Sequence, residues 1–204
     1  MKKIVIATLA ILLCSCINNR PKTPAESTTA DTATAIADSL DAIYAVDMLK
    51  CGTAAPELSL NDLRGKPRSL AELRGKKVVL VFWASWCPDC RSEIPVLKAM
   101  QANADPEKVA FLSVSFDRDI ETLCSFVENN FLGGIQLFDP AGKKDSKVAA
   151  DFGVKWIPSL YLIDEDGNIA IATVVADRVA EALGTYDRPA TYGGPCTDDS
   201  CSQP

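Results

Sequence analysis

The chain has 204 residues, 48% of them hydrophobic and 24% charged, the balance of a globular protein with room for one domain and extensions. Its formal charge of −6 offers no basic face, which sets nucleic-acid binding aside. Histidine is absent, which removes Cys-His nucleophilic catalysis, His-ligated metal sites and His general bases; eight cysteines, by contrast, are more than a reducing compartment usually holds without a metal or redox role.

In chain order, the first segment is an address. Met1-Lys2-Lys3 is a short basic start, and the apolar run IVIATLAILL follows at 4–13. A bilayer-spanning helix needs about 20 apolar residues, so this shorter run reads as a secretory h-region. Next, Leu13-Cys14-Ser15-Cys16 resembles the bacterial lipoprotein cleavage motif, with small Ser15 ahead of Cys16 as the acylated residue and Leu13 too bulky to serve Cys14 in the same way. The expectation is a signal peptide over 1–15 and a lipid on Cys16. Acyl chains there would hold the protein to a membrane of the cell envelope, facing the oxidising periplasm.

Residues 16–35, rich in Thr, Ala, Pro and Asn, read as a flexible tether. Over 36–50 the positions Ile36, Leu40, Ile43, Tyr44 and Leu49 approximate helical spacing, which predicts a short amphipathic helix packed on the following domain. That domain spans 51–184. It opens with a hairpin at 56–70 turning around Asn61 to Gly65, followed by a doubly buried strand at 76–84. A helix to about 102, kinked by Pro95, should bury Ile94, Leu97 and Met100. A second buried strand (109–116), a helix (119–131), a short strand (135–138) and a helix (144–152) come next. A hairpin at 159–175 and a helix at 177–183 close the domain, and 185–204 is a loose tail holding Cys196 and Cys201. Parallel strands alternating with helices, then an antiparallel pair, define an α/β fold with helices on both faces of a central mixed sheet. Functional groups in such sheets collect at the carboxyl ends of strands, where Cys87 stands.

Within VFWASWCPDCRSEIP (81–95), a helix beginning near Pro88 makes Cys87 its N-cap or first residue. Free N–H groups and the helix dipole favour a thiolate there, and Cys90 lies one turn on, near enough to close a tight ring. That spacing suits an attacking thiol and a resolving thiol. A haem attachment site needs His after the second cysteine, and Arg91 is there. A zinc site wants a second pair at comparable spacing, which only the tail cysteines approach. A structural disulfide across so short a loop constrains little. Redox exchange is the preferred reading, with no cofactor and no metal.

The segment FWASWCPDC resembles the thioredoxin active site. The wider stretch APELSLNDLRGKPRSLAELRGKKVVLVFWASWCPDCRSEIPVL, with FGVKWIPSLYLIDEDGNI further on, resembles membrane-anchored thioredoxin-like proteins of the TlpA and ResA type. The resemblance covers about 51–184 and implies a thioredoxin-like fold with an N-terminal β-hairpin extension. It makes Cys87 the nucleophile and Cys90 the resolving thiol, with Trp86 flanking them. It also makes Pro158 a cis-proline facing the sulfurs, and Ile157 the residue whose backbone meets an extended substrate. One departure is Val81, which stands where thioredoxins carry a buried aspartate; Glu93, matching a glutamate of the ResA type, is the substitute acid. The activity implied is thiol-disulfide exchange on exported proteins with disulfides, in the reducing direction, fed by a membrane thiol electron donor. Asp89 and Glu93 beside the thiols favour that direction by opposing a second negative charge. A peroxidase on the same fold would carry a lone cysteine in a Thr-rich loop, and a non-catalytic binding module would have lost one cysteine or the loop proline. Cys51, Cys124, Cys196 and Cys201 allow several pairings that spacing does not choose between.

Overall fold

The computed structural model describes residues 27–130 and 132–185. The expected signal peptide, the lipid-bearing Cys16, the first part of the tether and the tail beyond Thr185 lie outside the described residues.

The first element, α1 (Ser27–Tyr44), departs from expectation in two ways. It begins well before residue 36, so part of the expected tether is helical. It is also turned over: Ala37 is buried, while Ile36, Leu40 and Ile43 are 47%, 36% and 63% exposed. The reason is a polar anchor. Asp41 accepts hydrogen bonds from Thr173 Oγ1 at 2.9 Å and from the Val174 amide at 2.8 Å. Arg178 pairs with Asp41 at 3.2 Å and with Asp38. Small Ala37 lets that side approach, so the bulky side chains face solvent. After the helix, Met48 enters the core and the Leu49 amide donates to the Tyr161 hydroxyl at 3.0 Å. The chain here lies against the backbone of Gly153, where a Cβ would fall 1.9 Å from the Asp47 carbonyl oxygen. With φ at +63°, only glycine fits.

The hairpin forms as read, from β1 (Ser59–Asn61) and β2 (Pro67–Ser69). It docks on the sheet through the Leu63 amide, which donates to the Gln136 carbonyl at 3.3 Å. At the centre runs β3 (Lys77–Trp83), with every residue after Lys77 buried. Alternation along the strand sends Val78, Leu80 and Phe82 to one face and Val79, Val81 and Trp83 to the other, each packed in its own apolar cluster.

Beyond it, α2 (Pro88–Ser92) and α3 (Ile94–Asn103) replace the single kinked helix, because Pro95 has no N–H for the Arg91 carbonyl. The fully inward positions of α3 are Val96 and Met100, while Ile94 and Leu97 are only half-buried. Then come β4 (Val109–Ser115), α4 (Ile120–Asn130) and β5 (Ile135–Phe138). The expected helix at 144–152 is divided into α5 (Gly142–Asp145) and α6 (Lys147–Asp151), because Ser146 turns extended and caps α6 by accepting from the Ala149 amide. The antiparallel pair β6 (Ser159–Ile163) and β7 (Ile169–Thr173) leads into α7 (Ala176–Leu183).

The sheet order is β5-β4-β3-β6-β7, parallel on the β4 side of β3 and antiparallel on the β6 side. This is the mixed, thioredoxin-like sheet that was expected. Its carboxyl-end rim at β3 and β4 holds Cys87, and helices α3 and α7 pack together beneath that rim.

Candidate active site

Where β3 ends, the chain must turn into α2, and the turn is held from below. Asp117, 3% exposed just past β4, accepts from the Ser85 amide at 3.0 Å, the Ser85 hydroxyl at 2.6 Å and the Ser115 hydroxyl at 2.6 Å. A buried carboxylate is tolerated because three donors replace its water. It fixes Ser85, two residues before Cys87. Sequence reasoning missed this role; an acidic residue directly after a buried strand, level with the site, was the available signal.

Cys87 caps α2, and its sulfur accepts from the Cys90 amide at 3.3 Å. On its other side the Cys87 thiol reaches the Ile157 carbonyl oxygen at 3.6 Å, and the Ile157–Pro158 peptide is cis. The structure therefore brings Cys87, Cys90, Ile157 and Pro158 together. Both cysteines are buried, Cys87 5% and Cys90 2% exposed. Burial pushes the Cys90 thiol well above the usual cysteine range, and neighbouring Cys87 and Asp89 add to that by opposing a charge. Cys51, exposed, and Cys124, half-buried, are free thiols in the structure, as are Cys87 and Cys90.

Behind Cys90 is a cavity of about 20 Å³ whose walls include Val81, Trp83, Glu93, Gln136 and Pro158. Glu93 occupies the break between α2 and α3, and its Oε2 accepts from the Ala176 amide at the start of α7 at 2.9 Å. A carboxylate thus reaches the Cys90 side of the site from the helix, whereas Val81 leaves the strand without one. Trp86 is 56% exposed on the approach to Cys87, and Trp156, also missed from sequence, is 54% exposed ahead of Ile157. Among the described residues no cluster of three or more Cys, Asp or Glu is arranged to hold a metal ion. What the geometry offers is a dithiol with one thiol at a helix N-terminus, a buried partner one turn on and an adjacent carboxylate.

A mixed sheet with a Cys-x-x-Cys turn at its rim and a cis-proline opposite defines a thioredoxin-like dithiol protein. The profile of the AhpC/TSA family matches residues 51–172, and the chain belongs to that family. Its relatives narrow the class. Thioredoxin-like protein YneN of Bacillus subtilis (strain 168) is 35% identical over 138 residues, 65% of this chain and 78% of that one. Thiol-disulfide oxidoreductase ResA of Bacillus anthracis is 29% identical over 140 residues, covering 69% and 78%. Among solved structures, one described as thiol:disulfide interchange protein DsbE from Chlorobium tepidum superposes with a TM-score of 0.59 at 30% identity, over 67% of this chain and 94% of that chain. The thioredoxin domain of a Bacteroides vulgatus thiol-disulfide oxidoreductase gives a TM-score of 0.59 at 26% identity, over 66% and 99%. The chain is thus a thiol-disulfide oxidoreductase of the ResA and DsbE type.

Proposed function

We propose that this protein reduces disulfides in exported proteins, working from a lipid anchor at Cys16 on the periplasm-facing side of a membrane. The observation that carries the reading is Cys87 at the N-terminus of α2 with Cys90 buried behind it.

The reaction has two balanced steps. The Cys87 thiolate attacks one sulfur of a substrate disulfide; the new bond is Cys87–S(substrate), and the other substrate sulfur leaves as a thiolate. Cys90, deprotonated at that moment, attacks Cys87 Sγ and expels the second substrate sulfur. Two electrons pass to the substrate, two protons accompany them, and a Cys87–Cys90 disulfide remains for a membrane thiol donor to reduce again. Because burial holds the Cys90 proton firmly, the second step needs an acceptor, and Glu93 on the wall of the same cavity is the acid-base group proposed for it. Trp86, Ile157 and Pro158 would receive the substrate chain, with the Ile157 carbonyl released as Cys87 becomes a mixed disulfide. Two thiols one helical turn apart favour exchange over peroxide reduction by a lone cysteine. The reducing direction is supported by Asp89 within the pair and Glu93 behind it.

The test is insulin reduction with dithiothreitol as the electron source. Wild type should be active, Cys87→Ser inactive, and Cys90→Ser trapped as a mixed disulfide with its substrate. Equilibration with glutathione tests direction. A potential near thioredoxin's, about −270 mV, supports a reductant, and one near about −120 mV overturns it.

A further inference from the structure

The large apolar side chains that stand exposed among the described residues fall in two places. One is α1 with its exit turn; the other is the pair of tryptophans, Trp86 and Trp156, that adjoin Cys87 and Ile157 in the chain. The two places are one surface, because the Tyr44 ring at the end of α1 meets Trp156 edge-on with ring centroids 5.3 Å apart. From there Ile43, Leu40 and Ile36 continue away from the site at helical spacing, 63%, 36% and 47% exposed. A helix normally buries such a stripe. Here the opposite side is held down, by Asp41 on Thr173 and Val174 and by Arg178 on both aspartates, so the stripe is presented outward by a specific polar dock.

We propose that this outward stripe of α1 is a docking surface for the substrate polypeptide, and that the substrates are chains in a non-native state, with apolar residues exposed beside the disulfide to be reduced. The proposal rests on the oxidoreductase reading above. Disulfide exchange at Cys87 requires a substrate to lie over the surface next to Ile157, and Trp156 and Tyr44 extend that contact without a break onto the helix. A folded substrate with its apolar side chains inside has nothing to place there; an unfolded one does.

The chemistry of the helix argues against a membrane as the occupant. Helices that lie on bilayers carry Lys and Arg on the polar side to meet anionic headgroups. The sequence of α1, STTADTATAIADSLDAIY, has three aspartates and no basic residue. Without a cation to meet anionic headgroups, the stripe is left free for a polypeptide.

The experiment compares two disulfides on the full chain. Scrambled ribonuclease is a non-native protein substrate, and hydroxyethyl disulfide reaches Cys87 while touching nothing else. In the variant Ile36→Gln, Leu40→Gln, Ile43→Gln, the exposed changes keep good helix formers in place. We expect kcat/KM for scrambled ribonuclease to fall about tenfold, chiefly through KM, since apolar contacts made equally before and during reaction are lost. The hydroxyethyl disulfide rate should hold. The single change Leu40→Gln should give a smaller loss of the same kind.

An unchanged rate with scrambled ribonuclease overturns the proposal, and so does an equal loss with both disulfides, which would place the effect at the active site. Binding of wild type but not the variant to vesicles of anionic phospholipid, with the protein rate intact, assigns the surface to the membrane and overturns it. Loss of a wild-type dimer under the same condition assigns it to a second copy and overturns it too. A wild type inert to both disulfides removes the oxidoreductase reading itself, and this one with it.

Discussion

Single residues decide how firmly Cys87 is held. Cys87 takes its position from the helix it caps, but Ser85 is fixed by Asp117, and Asp117 is held by three donors in a buried setting. Removing the carboxylate would leave a buried amide and two hydroxyls to find new acceptors. Asp117→Ala should therefore cost about 3 kcal/mol or more in urea unfolding, with three buried groups left unpaired at about 1–3 kcal/mol each. Insulin reduction should fall as well, because the turn before Cys87 loosens. Asp117→Asn, which keeps one acceptor oxygen, should lose less of both. A stability within about 0.5 kcal/mol of wild type for Asp117→Ala would show that the network does not hold the turn. That Cys87, Cys90, Glu93 and Pro158 would lie close together was legible, because each rests on local spacing or on a recognisable segment. The places of Asp117 and Trp156 were not, because one is set by contacts across 32 residues and the other is marked only by exposure.

Among the elements, the strands were readable and the helix boundaries less so. Continuous apolar runs such as KVVLVFW leave no choice but a doubly buried strand. Helix ends are set by finer events: a proline without its N–H at 95, or a serine turning extended at 146 to cap α6. The orientation of α1 was the largest miss. Apolar periodicity says which residues share a side, but which side faces the body was settled by Asp41, whose partners lie on β7 and in the turn before α7. The segment after α1 depends on Gly153 having no side chain. Gly153→Ala should displace Asp47 to Leu49 and cost about 2 kcal/mol or more, from strain at positive φ as well as the clash. Amide exchange reads it out: the Leu49 N–H, bonded to the Tyr161 hydroxyl, should lose protection while the β3 amides keep theirs.

The whole molecule has a defined weakness toward alkali. Tyr161 is pushed up to about 12 by burial, from an ordinary value of 10.0. Its hydroxyl donates to the Phe152 carbonyl and accepts from Leu49, so it ties together β6, α6 and the entry segment. A folded pKa above the unfolded one means that the unfolded chain loses its proton first. The stabilisation is therefore complete below about pH 10 and declines as pH rises from 10 toward 12. Cys90 acts in the same sense from its own ordinary value of 9.0 upward. Urea midpoints measured from pH 8 to 11.5 should fall steadily above pH 9. In Tyr161→Phe the midpoint should start lower, for want of the Leu49 bond, and fall less steeply. A flat profile in wild type would contradict the buried phenol. The overall fold was legible because strands alternating with helices, closed by an antiparallel pair, admit few arrangements, and because long segments resemble a known fold.

The polar dock of α1 carries one more consequence, for ionic strength. An amphipathic helix seated by its apolar side grips harder as salt rises. This helix is held by Asp38 and Asp41 against Arg178, with an exposed aspartate on the outer pair, and such attractions fade as the screening length shortens from about 10 Å at 0.1 M to about 3 Å at 1 M. Salt should loosen α1 from the body while the sheet, held by apolar burial, stays intact, so the surrounding electrolyte sets how closely the apolar stripe is held beside Trp156.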